Sequence, residues 1–268
     1  MSKLLIFMAV AAFMVSGCSG GNENRTAHFN GLDFDSLVVD TNMMLGQSAD
    51  APGCHIRMSI QYAKGKKAQQ INNSIIDAGI LAPDYFAIGH EQLEIKLVVD
   101  SFVKRYLQDY RREFGEFYRQ DPEHSAIYNN EYLLTTHALN GKNDIIVYLA
   151  DSYHYAGGAH GTMTTIAKNI DVKTGKVIQL ADIIRPECEQ QLNKMIQEKL
   201  LKHFKAKNID ELHDKGVFEG IDIYAPDNFI LDNKKLTFIY VEDEIAPHAI
   251  GEIRIDFDYD ELGSIIRE

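Results

Sequence analysis

The sequence predicts an α+β fold in which antiparallel sheets pack against helices in two sub-domains. Strand patterns occur in clusters, and helical patterns lie between the clusters instead of alternating strictly with single strands. Turn residues separate the strands within each cluster. The chain has 268 residues, of which 45% are hydrophobic and 25% charged. This is ordinary globular composition, and the length suits one large or two small domains.

The N-terminal half contains two strand patterns and two helical patterns. His55 to Tyr62 alternates apolar and polar residues, which predicts a half-buried strand. Apolar residues at helical spacing predict helices over 68–81 and 91–118. The second has an aromatic stripe that we interpret as core. Residues 127–139 predict a long strand, followed by a hairpin turn at 140–143.

The C-terminal half is richer in strand patterns. The predicted strands are 144–150, 162–171, 177–180, 228–231, 235–240 and 253–257, and the predicted helical segments are 186–205, 209–215 and 260–266. From the two halves we predict an N-terminal α+β domain over 49–140 and a C-terminal α+β domain over 141–268.

The first residues resemble a lipoprotein signal peptide (1–17). Lys3 precedes an apolar segment from Leu4 to Val15, and Val15-Ser16-Gly17-Cys18 has the pattern of a bacterial lipobox. The pattern predicts cleavage before Cys18, a diacylglycerol thioether on its sulfur and acylation of the new amine, for example with palmitate. Several acyl chains give a stable membrane anchor. A plain secretory signal with an incidental cysteine is the alternative.

Residues 18–48 are predicted to form a tether, because they are rich in Gly, Asn and Asp and show little periodicity before Leu37. The tether lacks a dense acidic run, which favours a lipid-anchored protein of the cell envelope that faces the periplasm from the outer membrane. The whole chain is acidic, with 39 Asp and Glu against 27 Lys and Arg and a net charge of −12. Nucleic acid is therefore not an expected partner, whereas a basic protein is compatible with this charge.

A glycine-rich stretch forms the candidate binding or structural loop. Its residues are Tyr153, Tyr155, Gly157, Gly158, His160 and Gly161. We expect the adjacent glycines to lie where a Cβ atom would not fit. His154 and His160 could approach one metal ion, but the sequence ties no third ligand to them, so we predict no metal site.

No nucleophile motif is recognisable, and we assign no catalytic residue and no cofactor. Cys54 and Cys188 have no nearby histidine in the sequence. In an exported protein they could form a disulfide, or they could remain two free thiols, and their spacing leaves both alternatives open.

From Asp144 onward the chain resembles the extracytoplasmic domain family of RsiV-type, lysozyme-sensing anti-sigma factors, which also occurs beside the catalytic domain of the deacetylase PdaC. The matching residues are Tyr153, Tyr155, Gly157 to Gly161, Asn169, Asp171, Thr174 to Lys176, Leu180, Asp182 to Ile184, Phe229, Leu231, Leu236 to Phe238, Tyr240, Ile245 to Pro247, Ala249 and Gly251. The resemblance implies an α+β fold on an exported bacterial protein, usually of unknown function, without catalytic residues. The region from Cys54 to Leu139 is similar to the companion domain that often precedes it.

The expected function is that of a non-enzymatic, membrane-anchored envelope lipoprotein that binds or senses lysozyme or cell-wall fragments. The lipobox replaces the membrane-spanning segment of RsiV-type proteins, so we do not expect anti-sigma activity by their mechanism. A peptidoglycan-modifying enzyme and a structural accessory of an envelope complex are the alternatives.

Overall fold

The structure is a computed structural model that describes residues 27, 29, 31–48, 50–85 and 94–267. The predicted signal peptide, Cys18 and the first part of the tether lie outside these residues. Lipidation at Cys18 and the membrane anchor therefore stay predictions.

The described residues form nine strands and six α-helices. The strands are β1 (Leu32–Met44), β2 (Gly53–Gly65), β3 (Asn130–Asn140), β4 (Ile145–Ala156), β5 (Thr162–Asp171), β6 (Val177–Ile178), β7 (Phe229–Leu231), β8 (Lys235–Tyr240) and β9 (Ile253–Asp258). The helices are α1 (Ala68–Asp77), α2 (Ile95–Gln120), α3 (Leu180–Ile183), α4 (Glu189–His203), α5 (Ile209–His213) and α6 (Tyr259–Leu262). Short 3-10 helices occur at Ser125–Tyr128, Pro186–Cys188, His248–Ile250 and Gly263–Ile265.

The first six strands form one sheet in the order β1-β2-β3-β4-β5-β6. Strands β2 and β3 are parallel, whereas the other neighbours are antiparallel. The sequence predicts antiparallel sheets, and the pairing of β2 with β3 is the one exception among the described strands. Parallel neighbours need a crossover of a dozen or more residues, and α1 and α2 lie in this connection.

Helices α1 and α2 cover one face of this sheet and form the first hydrophobic cluster with it. Alternate residues of β2, from Cys54 to Ile60, point into this cluster, as expected from the two-residue period of a strand. Phe102, Tyr106 and Tyr110 of α2 are buried against them, at the spacing of one helix face. The predicted aromatic stripe is thus core along most of its length.

Strands β7, β8 and β9 form a separate antiparallel sheet. This sheet packs with α4 and the neighbouring short helices around a second hydrophobic cluster, which contains Leu192, Ile196, Phe238 and Phe257. The predicted α+β class with sheets packed against helices is confirmed. The first cluster extends to Ile170. The predicted boundary between residues 140 and 141 lies earlier, in the turn between the paired strands β3 and β4.

Strand β1 is an edge strand that the sequence did not reveal. It pairs with β2 over its whole length, from Leu32 opposite Gly65 to Met44 opposite Gly53. The prediction of a tether over 18–48 is therefore wrong for residues 32–44. The alternation that starts at Leu32 is interrupted by two consecutive exposed residues, Asp35 and Ser36, and pairing with β2 determines the conformation of the strand despite this weak local pattern.

The two sheets meet where β6 leaves most of the β5 edge without a neighbouring strand. Asn228 fills part of this edge, because its Oδ1 accepts from Ala167 N at 2.7 Å and its Nδ2 donates to Thr165 O at 2.7 Å. In the opposite direction, Asn169 Nδ2 donates to Phe229 O at 2.8 Å and Asn169 Oδ1 accepts from Leu231 N at 2.8 Å. Two side-chain amides thus replace strand pairing between β5 and β7.

Replacing Asn169 with Ala should destabilise the protein by about 2–5 kcal/mol, because Asn169 is 1% exposed and its loss leaves a buried C=O and N–H of β7 unpaired. Equilibrium urea unfolding measures this free energy. The control is Asn233→Ala in the exposed β7–β8 turn, which should remain within about 0.5 kcal/mol of the wild type. Equal stability of the two variants would show that the amide bridge does not hold the sheets together.

Candidate functional site

The glycine-rich loop connects β4 to β5 at one end of the six-stranded sheet. Strand β4 extends to Ala156, so Tyr153 and Tyr155 belong to the strand and not to the loop. Successive strand residues point to opposite faces. His154 therefore faces α2, where its Nε2 lies 2.7 Å from the Tyr106 hydroxyl, whereas Tyr153 and Tyr155 lie on the other face.

The loop conformation depends on Gly157 and Gly161. Gly157 has φ +75°, and a Cβ atom there would overlap the carbonyl oxygen of Ile127. At Gly161 a Cβ atom would overlap the ring of Tyr153. Gly158 does not have positive φ, and the nearest neighbour of a Cβ atom there would be His160 O at 3.7 Å. The expectation that both adjacent glycines exclude a side chain is therefore wrong for Gly158.

Two further contacts hold the loop in place. The Tyr155 hydroxyl donates to Gly158 O at 3.0 Å. The ring of His160 is exposed on one side and stacks on His248, with 3.7 Å between ring centroids and an interplanar angle of 21°. His248 Nδ1 lies 3.1 Å from Asp243 Oδ2. This contact joins the loop to the segment that follows β8.

Glu242 connects the same two parts of the chain. Its Oε2 accepts from the Met163 backbone N at 2.7 Å, and its Oε1 lies 3.3 Å from His248 Nδ1. Within the described residues no group of three or more His, Cys, Asp or Glu side chains has an arrangement that could hold a metal ion. His154 and His160 do not converge, because His154 contacts Tyr106 on the α2 face.

A cleft of about 360 Å³ opens on the α2 side of this sheet end. Aromatic rings form much of its wall, and polar groups from α2, β3 and β4 lie among them. Its lining residues are Pro83, Tyr85, Tyr106, Asp109, Tyr110, Arg112, Glu113, Phe114, Asn130, His154 and Ala156. We call this space the aromatic cleft. Its size and its mixture of aromatic and polar groups are typical of a small-ligand site.

Several ionisable side chains of the aromatic cleft are paired with one another. The Tyr85 hydroxyl donates to Asp109 Oδ2 at 2.9 Å, and Asp109 Oδ1 lies 2.8 Å from Arg112 Nη2. Partial desolvation of its ring lowers the pKa of His154, although the residue is exposed at the mouth of the cleft, and burial raises the pKa of Tyr106. Both side chains are therefore uncharged at neutral pH, and they contact each other through the 2.7 Å hydrogen bond.

Cys54 and Cys188, which the sequence offered as a possible disulfide, lie apart from each other, and Cys54 Sγ lies 3.6 Å from Asn130 Oδ1 at the wall of the aromatic cleft. Both are free thiols, Cys54 in the first hydrophobic cluster and Cys188 against the second. Of the two alternatives left open by the sequence, the structure has the unbonded one. Burial raises the pKa of Cys54 to about 12. A thiol at this pKa is not a nucleophile at neutral pH.

Sequence reasoning identified the loop but missed most of the aromatic cleft. Tyr85, Asp109 and Asn130 come from three separate segments, and only the fold brings them to His154. Tyr106, Tyr110 and Phe114 were interpreted as core, which holds for the rings of Tyr106 and Tyr110. The sequence offered one indication that these three residues line a cleft: they lie near the C-terminal end of the apolar stripe that it predicts for α2.

A sequence profile described as a protein of unknown function, DUF3298, matches residues 181–260. A DUF3298 family member from Bacteroides fragilis has a similar structure, with a TM-score of 0.78 and 24% identity over 92% of this chain and 96% of that chain. A DUF3298 family protein from Pseudomonas aeruginosa has a TM-score of 0.53 and 18% identity over 88% of this chain and 94% of that chain. The C-terminal part thus matches DUF3298, and the fold is shared along most of the chain. A comparison with curated proteins found no match.

Among the described residues, no helix combines the length and the apolar composition needed to cross a lipid bilayer.

Gly157→Ala should lower the melting temperature clearly, whereas Gly158→Ala should leave it close to that of the wild type. A side chain at positive φ costs about 1 kcal/mol or more, and at Gly157 the backbone must also move away from Ile127. Differential scanning calorimetry on both variants measures the difference. A larger loss for Gly158→Ala would contradict this account of the loop.

His154 should make stability depend on pH. Because its folded-state pKa is lowered, the unfolded chain takes up a proton at this residue first as pH falls through about 6.5, so the free energy of unfolding decreases there until the folded pKa is passed. Urea unfolding between about pH 7.5 and 5 should show a smaller decrease for His154→Gln than for the wild type. The exposed His203 provides the control: His203→Gln should retain the wild-type pH dependence.

Proposed function

We propose that the protein is a non-enzymatic, lipid-anchored lipoprotein of the cell envelope that binds cell-wall fragments in the aromatic cleft. The observation that carries this proposal is the cleft itself, with aromatic rings and polar groups from three segments around about 360 Å³ of accessible space. Aromatic faces and spaced hydrogen-bonding groups suit the apolar faces and hydroxyl groups of a sugar ring.

Binding is better supported than catalysis by the hydrogen bonds within the cleft. Asp109 and His154, which would be the natural acid or base, are held by Tyr85, Arg112 and Tyr106. A general base must reach the proton that it removes, and these contacts use both carboxylate oxygens of Asp109 and one of the two ring nitrogens of His154. The cleft therefore offers recognition surfaces in which its aspartate is already bound by neighbouring side chains.

The lipid anchor rests on the lipobox pattern at Val15 to Cys18. Cleavage there would leave Cys18 as the first residue of the mature protein, joined to β1 by the short segment that remains before Leu32. The tether would enter the sheet at Leu32, opposite Gly65, whereas the aromatic cleft lies at the other end of the strands, near Asn130, so the anchored protein would hold its cleft away from the attachment point. This location agrees with a ligand released from the cell wall.

A basic protein such as lysozyme is a second candidate ligand, in line with the RsiV-type resemblance. The observation that favours it is the net charge of −12, together with Asp243, which contacts the His248 ring that stacks on the exposed His160 of the loop. Complementary charge would raise the rate of association and make it sensitive to salt. This surface lies at the loop, whereas the aromatic cleft opens on the α2 side of the sheet.

Phe114→Ala should weaken binding of purified soluble muropeptides about 10- to 100-fold, because the variant removes an aromatic ring from the wall of the aromatic cleft. Phe117→Ala is the matched control: Phe117 lies on the same helix, is 56% exposed and does not line the cleft, so its loss should leave affinity unchanged. Isothermal titration calorimetry below the melting temperature of each variant measures the affinities.

The same titrations separate the proposal from its alternatives. Absence of muropeptide binding by the wild type, together with capture of lysozyme, would replace the proposed ligand with a basic protein. Turnover of the muropeptides, followed by chromatography, would favour a peptidoglycan-modifying enzyme. No interaction with either ligand would favour a structural accessory of an envelope complex.

A further inference from the structure

Asn130 lies at the wall shared by two clefts. It lines the aromatic cleft, and it also lines a second cleft of about 380 Å³ at the same end of the sheet, between β1, β2 and β3. Asn130 is the first residue of β3, where it pairs with Cys54 of β2 and Ala156 of β4. Strand pairing on both sides fixes its backbone, so its side chain is held at a defined place between the two clefts.

Only half of the hydrogen-bonding capacity of this side chain is used within the described part of the chain. Its Oδ1 accepts from the Tyr106 hydroxyl at 3.1 Å and lies 3.6 Å from Cys54 Sγ. Its Nδ2 donates to no described residue. The residue is 8% exposed, so its amide group is largely removed from bulk water.

Leaving a buried amide N–H group without a hydrogen-bond acceptor is energetically unfavourable. A buried polar group without a partner destabilises a protein, and most such groups bind water or a ligand when protein atoms do not reach them. Phe114, Tyr110 and Ala156 provide apolar surface in the same cleft. The complementary ligand group is therefore a carbonyl oxygen with a small apolar group attached.

We infer that the aromatic cleft selects ligands that carry a secondary amide, whose carbonyl oxygen accepts a hydrogen bond from Asn130 Nδ2. This inference rests on the proposed function and specifies its ligand class. In cell-wall fragments two sources have this chemistry: the acetamido group of an N-acetylated sugar and the peptide bonds of the stem peptide. An amide also offers its own N–H, so it would suit Asn130 in either orientation of the side-chain amide.

Three neutral or nearly neutral probes distinguish the sources: the β-1,4-linked trimer of N-acetylglucosamine, the β-1,4-linked trimer of glucose and a sugar-free stem peptide. Calorimetric titration of the full-length protein in mild detergent should give an affinity for the N-acetylglucosamine trimer at least about tenfold above that for the glucose trimer. Tight binding of the stem peptide alone would support the same amide recognition with the peptide as its source.

Asn130→Leu should remove the preference for the N-acetylglucosamine trimer, because it keeps the branched shape of the side chain and deletes Nδ2. Asn233→Leu is the matched control, since it makes the same substitution in the exposed β7–β8 turn, outside the aromatic cleft, and it should retain the preference. The comparison of probes on the wild type needs no variant, so the inference remains testable if Asn130→Leu does not fold.

Equal affinity for the two trimers without binding of the stem peptide would overturn the amide inference and leave glycan binding in place. Preference retained in folded Asn130→Leu would overturn the role of Asn130. Absence of binding by all three probes and by intact muropeptides would overturn the proposed function itself.

Discussion

The arrangement of the two sheets depends on how the free edge of β5 is closed. Strand β6 pairs only with Asn169 and Ile170, which leaves the preceding backbone groups of β5 without a neighbouring strand. Unpaired N–H and C=O groups at a covered sheet edge are strongly unfavourable. Asn228 satisfies Thr165 and Ala167, and Glu242 satisfies Met163. The C-terminal unit thus covers the edge with side chains instead of a strand.

This junction also determines the position of the glycine-rich loop. Met163 is the second residue of β5, so the contact with Glu242 holds the strand at the point where the loop ends. On the other side of the loop, Gly157 lies directly against Ile127, in the segment that leads from α2 to β3. The loop is therefore anchored to both units. The adjacent end of β4, with His154 facing the aromatic cleft, is held in the same way.

The sequence was informative where local periodicity and burial agree. Residues 253–257 alternate clearly and lie in β9, and the aromatic stripe of α2 packs as predicted. Strand β1 and the parallel pairing of β2 with β3 were missed, because both depend on partners distant in the chain. Among the glycines, composition could not separate Gly157 from Gly158, since the difference is the approach of Ile127 from another segment.

The period of the strand explains why one short motif contributes to two surfaces. Tyr153 and Tyr155 lie on the face of β4 that points away from α2, where they support the loop through Gly161 and Gly158. His154, between them, points to the aromatic cleft and contacts Tyr106. Tyr106 in turn contacts Asn130. The two tyrosines of the motif therefore support the loop. His154 instead belongs to a series of hydrogen-bonded side chains, His154, Tyr106 and Asn130, that lines the cleft. A ligand bound to Asn130 would contact these hydrogen-bonded side chains without displacing any residue that holds the loop.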